Sequence, residues 1–286
     1  MNNTELEPAS FYSVQVGDIR LVIRRYGSGS QHILALHSLS GFSYDWKTLA
    51  LDYMTKDYSL WAVDMPGFGF SGWDNTHDYG VDRVASEVLD IVCVLPVDSF
   101  HLVGHSFGGR VAMSVAVKDP SKFRSLAILD IGPIPGPGDS YVRERIGSWP
   151  EEFSSFDEMC ETYRVLYESE SDAMFIGRMR QYKLDLPNKR VRIRRDPWWK
   201  EVWANSVPPI TADSWGIWNR LQTPTLLVRG GISEMLTLEI ANEMRKHEAL
   251  RSYEEIPNVG HNIPLLAPFE LWKMMSAFYA SLQNIV

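Results

Sequence analysis

Eight short apolar runs punctuate the chain, and the way polar residues fall within them separates two kinds. FYSVQV and IRLVIRRYG meet at Gly17-Asp18 and partly alternate polar with apolar positions, as strands at the margin of a sheet do. HILALH, YSLWAVD, FHLVGH, SLAILD and TPTLLVRG are nearly continuous in Val, Ile, Leu and Ala. A strand covered on both faces has no polar side to show, so these runs belong inside a parallel sheet. RSYEEIP closes the series. Helical spacing over 44–55, 81–95, 107–118, 237–247 and 269–282 fills much of the intervals. Strands alternating with helices predict an α/β chain: a mostly parallel sheet of eight strands with helices on both faces.

The alternation breaks once, over 133–221. PIPGPG opens the break and continues neither helix nor strand. Helical patches follow, FDEMCETYRVLY and DAMFIGRMRQYKL. A segment that leaves the sheet and returns reads as a helical cap over its C-terminal edge, inserted after strand six. The expected division is a core of 1–132 and 222–286 with a cap of 133–221.

Bulk properties narrow the function classes. At 286 residues the chain suits one core with an insertion better than two full domains. A net charge of −8 argues against a general nucleic-acid binder, which needs a basic face. Two cysteines without metal-ligand spacing predict free thiols and a reducing compartment. MNNTELEPAS has neither the basic nor the apolar region of a secretion signal. No apolar run approaches the roughly 18 residues that would span a bilayer. The expectation is a cytoplasmic protein with a small-molecule substrate, no nucleic-acid or membrane partner, and no metal or organic cofactor.

The chemistry gathers at FHLVGHSFGG, a strand, a serine and a helix in immediate succession. Gly104 and Gly108 flank Ser106 at two residues on either side, the spacing of a nucleophile elbow. A turn that tight leaves no room for neighbouring Cβ atoms and pushes the serine hydroxyl clear of the backbone. The next amide, of Phe107, opens a helix and faces any oxyanion formed there. A serine needs a base to take its proton. His261 in GHNIPLLAP follows the last strand and precedes the last helix, where a loop reaches back over the sheet edge. The other histidines sit in strands, beside the serine, or on surface segments.

Together HSLSG, DMPGFGFS, GHSFGG and GHNIP resemble the α/β-hydrolase fold superfamily over essentially the whole chain. The usual HG of the first loop is His37-Ser38 here. The resemblance implies a second oxyanion donor two residues after that histidine, the backbone N–H of Leu39. DMPGFGFS lacks the Lys-Ser/Thr ending of a phosphate loop and resembles a loop shaping the rim. The resemblance also implies an acid after the seventh strand, in the pattern G-x-x-D. Counting from Gly230, that place holds Ser233. Glu234 is one position further and is the alternative acid. Asp130, at the end of the sixth strand in SLAILDIGP, is preferred, because an acid there is a known variant of this fold.

The resemblance implies a serine hydrolase with a Ser106, His261 and Asp130 (or Glu234) triad. Its expected reaction is cleavage of a carboxylic ester of a small apolar or aromatic substrate through an acyl-enzyme. Amide or carbon–carbon hydrolysis of a carboxylated molecule uses the same apparatus. A ligand receptor or signalling protein of the same fold stays open as a different class. Dehalogenase and epoxide hydrolase chemistry is disfavoured, since both place an aspartate at the elbow. In KRVRIRRDPWWK, an extended backbone puts Arg190, Arg192 and Arg194 on one face and Val191 and Ile193 on the other. That face is expected either to be solvated or to lend one arginine to a substrate carboxylate.

Overall fold

The structure is a computed structural model and describes residues 9–168, 170–204 and 213–283. Its main sheet has eight strands. In chain order they are β1 (Ala9–Val16), β2 (Ile19–Tyr26), β3 (Gln31–Leu36), β4 (Tyr58–Asp64), β5 (Phe100–His105) and β6 (Phe123–Leu129). After a ribbon of β7 (Lys183–Asp185) and β8 (Val191–Ile193) come β9 (Thr225–Gly230) and β10 (Leu250–Ile256). The spatial order is β1-β2-β4-β3-β5-β6-β9-β10. β1 and β2 join antiparallel at the margin, and every pairing from β4 to β10 is parallel.

The period-two geometry of a strand explains the unbroken apolar runs. Leu34 and Leu36 of β3 face one layer while Ile33 and Ala35 face the other. Leu126 and Ile128 of β6 face the first layer, Ala127 and Leu129 the second. The first layer is built on α1 (Val81–Val94) and α2 (Phe107–Lys118). The second is built on the C-terminal helix (Pro268–Gln283). The helix expected over 44–55 is replaced by a 3-10 turn (Ser43–Trp46) and a π turn (Leu49–Tyr53). Trp46, Leu49 and Ala50 are buried there, so packing on the sheet outweighs regular helical hydrogen bonding.

Between β6 and β9 none of the described residues joins the main sheet. It forms α3 (Pro137–Ser148), α4 (Phe156–Tyr163), α5 (Asp172–Tyr182), the β7–β8 ribbon, α6 (Trp198–Ala204) and α7 (Ser214–Asn219). Ser155 and Ser171 cap α4 and α5 by accepting from Glu158 N–H and Met174 N–H. The ribbon was not expected. Val191 and Ile193 are buried on one face of it, as the extended reading requires. Phe153, Met159, Tyr163, Phe175, Met179 and Tyr182 make a separate small core.

The insertion docks on loops at the C-terminal ends of the strands. Gly69 N–H donates to the Arg194 carbonyl at 2.8 Å and Asp196 N–H to the Gly67 carbonyl at 2.7 Å, both in the loop after β4. Asn262 Nδ2 donates to the Leu166 carbonyl at 3.1 Å, after β10. Tyr167 Oη donates to the Ser40 carbonyl at 3.2 Å, after β3. Among the described residues no helix is long and apolar enough to cross a membrane.

Candidate active site

Ser106 sits between β5 and α2 with φ 55° and ψ −122°, in the left-handed region that L-residues avoid. Packing leaves no alternative. A Cβ on Gly104 would lie 2.2 Å from the Gly108 carbonyl oxygen, and one on Gly108 would lie 2.5 Å from the Leu36 and His37 carbonyl oxygens. Gly108 N–H donates to the His37 carbonyl at 3.1 Å, so the first turn of α2 is joined to the loop after β3. Phe107 N–H is in that first turn, where the helix dipole favours negative charge.

Asp130 follows β6 and is fully buried, with φ 52°. Its Oδ1 accepts from Gly230 N–H at 2.9 Å. Its Oδ2 accepts from the Ser233 hydroxyl and lies 2.8 Å from His261 Nδ1. A carboxylate on Nδ1 fixes the tautomer that leaves the Nε2 lone pair free to take a proton. Glu234 is elsewhere. It is exposed, and its carbonyl accepts from Gly138 N–H at 3.1 Å. Ser233, at the position that the fold usually gives to an acid, bonds the acid that stands across from it. Arg229 secures the loop that carries Ser233 by donating to the Gly231, Ser233 and Leu236 carbonyls at 2.8–3.2 Å.

Two histidines set aside on sequence grounds brace the site. His105 Nε2 lies 2.7 Å from the His261 carbonyl and holds the His261 loop down. Burial, then the neighbouring His261, keeps the His105 imidazole well below its ordinary pKa, hence neutral. His37 is also buried. Its Nδ1 lies 2.7 Å from the Ser38 carbonyl, and its Nε2 accepts from Met65 N–H at 3.1 Å. Burial pushes its pKa down to about 4. The Ser38 carbonyl and the Leu39 N–H belong to one planar peptide, in which they point in opposite directions. By gripping the carbonyl, His37 aims the Leu39 N–H away from itself. The only sequence signal for either role is a place inside a motif, HSLSG for His37 and GHSFGG for His105.

The basic stretch divides among several partners. Arg190 is exposed and ion-paired to Glu152 at 3.2 Å. The Arg192 guanidinium lies 4.6 Å over the Trp73 ring and that of Arg194 4.4 Å over Phe70. Arg195 is buried, 3.5 Å from Glu151. Trp199 reaches the serine corner, its ring 5.5 Å from that of Phe107. No group of three or more His, Cys, Asp or Glu with metal-binding geometry occurs among the described residues.

This fold has counterparts. The family model described as alpha/beta hydrolase fold matches residues 31–268. The chain belongs to the alpha/beta hydrolase fold family. Among relatives in this family, a 3-hydroxybutyrate-oligomer hydrolase of Cupriavidus necator is 25% identical over 258 residues, 84% of this chain and 85% of that protein. An N-formylmaleamate deformylase of Pseudomonas putida is 28% identical over 126 residues, 44% of this chain and 46% of that protein. The solved E-2-(acetamidomethylene)succinate hydrolase superposes with a TM-score of 0.84 at 19% identity, covering 95% of this chain and 99% of that one. These alpha/beta hydrolases share a fold and a hydrolytic activity class while differing in the substrates that their names carry.

Proposed function

We propose that this hydrolase cleaves carboxylic esters of small apolar or aromatic molecules through an acyl-enzyme on Ser106. Residues 133–221 are the cap that shapes the substrate pocket, over a core of 1–132 and 222–286. The observation that carries the reading is the 2.8 Å contact between His261 Nδ1 and the buried Asp130 carboxylate, on the same sheet edge as the strained Ser106. Ser106 Oγ attacks the carbonyl carbon while His261 Nε2 takes its proton. The tetrahedral oxyanion is held by the Phe107 and Leu39 N–H groups. Collapse expels the alcohol, protonated by His261. Water, deprotonated by the same nitrogen, then releases the acid and restores Ser106. Asp130 stabilises the imidazolium in both halves.

Amide hydrolysis is a second reading, favoured by the deformylase and acetamidomethylene succinate hydrolase names among the similar proteins. It uses the same residues and asks His261 to protonate a poorer leaving group. Hydrolysis of short and aromatic p-nitrophenyl esters by wild type and Ser106→Ala tests the proposal. Turnover lost by about 10³-fold or more in the variant supports it. Labelling of Ser106 by a fluorophosphonate without ester turnover shifts the reading to the amide. Neither labelling nor turnover overturns both readings and favours a ligand-binding role.

A further inference from the structure

The loop that leaves β3 is held from two sides. From the core, His37 grips the Ser38 carbonyl, and Ser43 N–H donates to Asp64 Oδ1 at 2.7 Å. From the insertion, three buried side chains reach across the seam. The Tyr167 hydroxyl donates to the Ser40 carbonyl at 3.2 Å, and the Tyr182 hydroxyl to the Gly41 carbonyl at 3.4 Å. The Phe42 ring is stacked on Tyr182, with centroids 4.5 Å apart and planes 5° from parallel. That places a core-loop residue inside the insertion's own hydrophobic cluster. Arg178 is the third. Its Nη1 pairs with Asp45 in the 3-10 turn that ends the loop, and its Nη2 with Glu170 at 2.7 Å.

The cluster is dry. Arg178 is 4% exposed, Glu170 5% and Asp45 7%. The guanidinium lies 5.1 Å over the Tyr167 ring, so the charged and aromatic members pack as one unit. Gly41 permits the wrap, because a Cβ there would lie 2.1 Å from Asp45 Oδ2. The insertion thereby holds the peptide carbonyls one and two residues after Leu39. Its grip begins where that of His37 ends.

We infer that Tyr167, Arg178 and Tyr182 are positioning residues that hold the Leu39 amide in its oxyanion-binding orientation, so that docking of the insertion and completion of the oxyanion site are one event. The inference rests on the role proposed above for Leu39. It assigns the insertion a part in catalysis beyond shaping a pocket. With the insertion undocked, Ser106 and Asp130 keep their core contacts and His261 keeps Asp130 and His105, losing only the neighbouring Asn262–Leu166 bond, while Leu39 loses its outer support. A half-assembled site then hydrolyses poorly, and substrate is committed only after closure.

The test compares wild type with Tyr167→Phe, Tyr182→Phe and the double variant, each of which keeps the ring packing and removes only a hydroxyl. Arg178→Lys is added as a conservative change that keeps the charge and loses the two-pronged fork. Two readouts are taken: steady-state kinetics on p-nitrophenyl esters, and amide hydrogen exchange of residues 39–42. In the double variant kcat is expected to fall by about 10- to 100-fold, somewhat less than loss of a whole oxyanion donor, with KM within about threefold. Exchange at 39–42 should quicken by about 10-fold or more, the signature of local opening. Unchanged exchange overturns the inference, as does an unchanged kcat or an effect confined to KM. Ser106→Ala separates the two proposals, since it should abolish turnover and leave exchange at 39–42 as in wild type. If wild type itself shows no turnover, the ester reading fails. The exchange result alone then decides the clamp: quicker exchange in the double variant sustains it, and equal exchange rejects it.

Discussion

On the side of Asp130, the carboxylate itself is held by the sheet and its loops. The carboxylate takes its hydrogen bonds from a strand-end amide, from Ser233 on the next loop and from His261, and Arg229 fixes that loop through three carbonyls. On the side of Leu39, the outer half of the support comes from another part of the chain. Tyr167, Arg178 and Tyr182 lie on the insertion, and the Arg178–Asp45 pair spans 133 positions. The first side is anchored by backbone that cannot move without breaking parallel ladders. The second is anchored by a buried ion pair and an aromatic stack, which separate if two bodies part. On the proposed reading, the acid–base pair thus rests mainly on the sheet, and the second oxyanion donor rests partly on the insertion.

Variants can break either side. The largest effect is expected from Asp130→Asn, which leaves the shape and upsets the tautomer and charge at His261. Ester turnover should drop about 10³- to 10⁴-fold. Glu234→Gln should stay within about twofold, since that side chain is exposed. Equal losses in the two would undo the assignment of the acid. Next comes Arg178→Met, which strands Asp45 and Glu170 without a counter-charge. Urea unfolding should register a loss of about 3–5 kcal/mol. A loss below about 1 kcal/mol would mean that the cluster is open to water.

Acid should loosen both sides, because each rests on a buried neutral histidine, His37 for the Leu39 side and His105 for the His261 side. Burial lowers both below the ordinary value of 6.5, His37 to about 4. The unfolded chain therefore binds more protons between those limits. Stability contributed by His37 is present above pH 6.5 and is lost as pH falls towards 4. Its share at pH 5 is about 2 kcal/mol, and His105 adds to it in the same direction. The buried carboxyls of Glu87 and Asp45, raised to about 7 and about 6, gain stability over the same range, so the loosening is read locally. Amide protection factors at 39–42 and around 261 that do not fall between pH 7 and pH 5 would contradict this. The smallest effect is expected from Ser233→Ala. It removes one of three donors to Asp130 and should cost about 10-fold in kcat, with little change in the urea midpoint. A midpoint shift without a kcat shift would give Ser233 a structural role only.

Much of the frame is legible in the sequence. The eight apolar runs correspond to the eight strands of the sheet, because strand burial is written in consecutive residues. The strained corner at Ser106 was legible for the same reason: its two flanking glycines and the following helix are all local. The helix read over 44–55 was not, since the demand of Trp46 and Leu49 for the sheet replaced it with two short turns. Nor was the pairing of the β7–β8 ribbon: the alternation around Val191 and Ile193 showed, but the three residues of β7 are too few to announce a partner.

What the chain's own order determined is every feature set by neighbours along it: the alternation of strand and helix, its single interruption, the glycine-flanked corner. It also narrowed the acid to Asp130 or Glu234. The tertiary structure alone decided which of these carboxylates meets His261, because that depends on how the ends of β6, β9 and β10 lie side by side. It alone showed that Ser233 bonds Asp130, that His37 and His105 grip carbonyls, and that an arginine of the insertion finds an aspartate in the core loop. Periodicity and motif spacing record forces between residues a few positions apart. A charge pair or a hydroxyl bond across the seam between two bodies leaves no such trace, because its partners are brought together only after both bodies have folded.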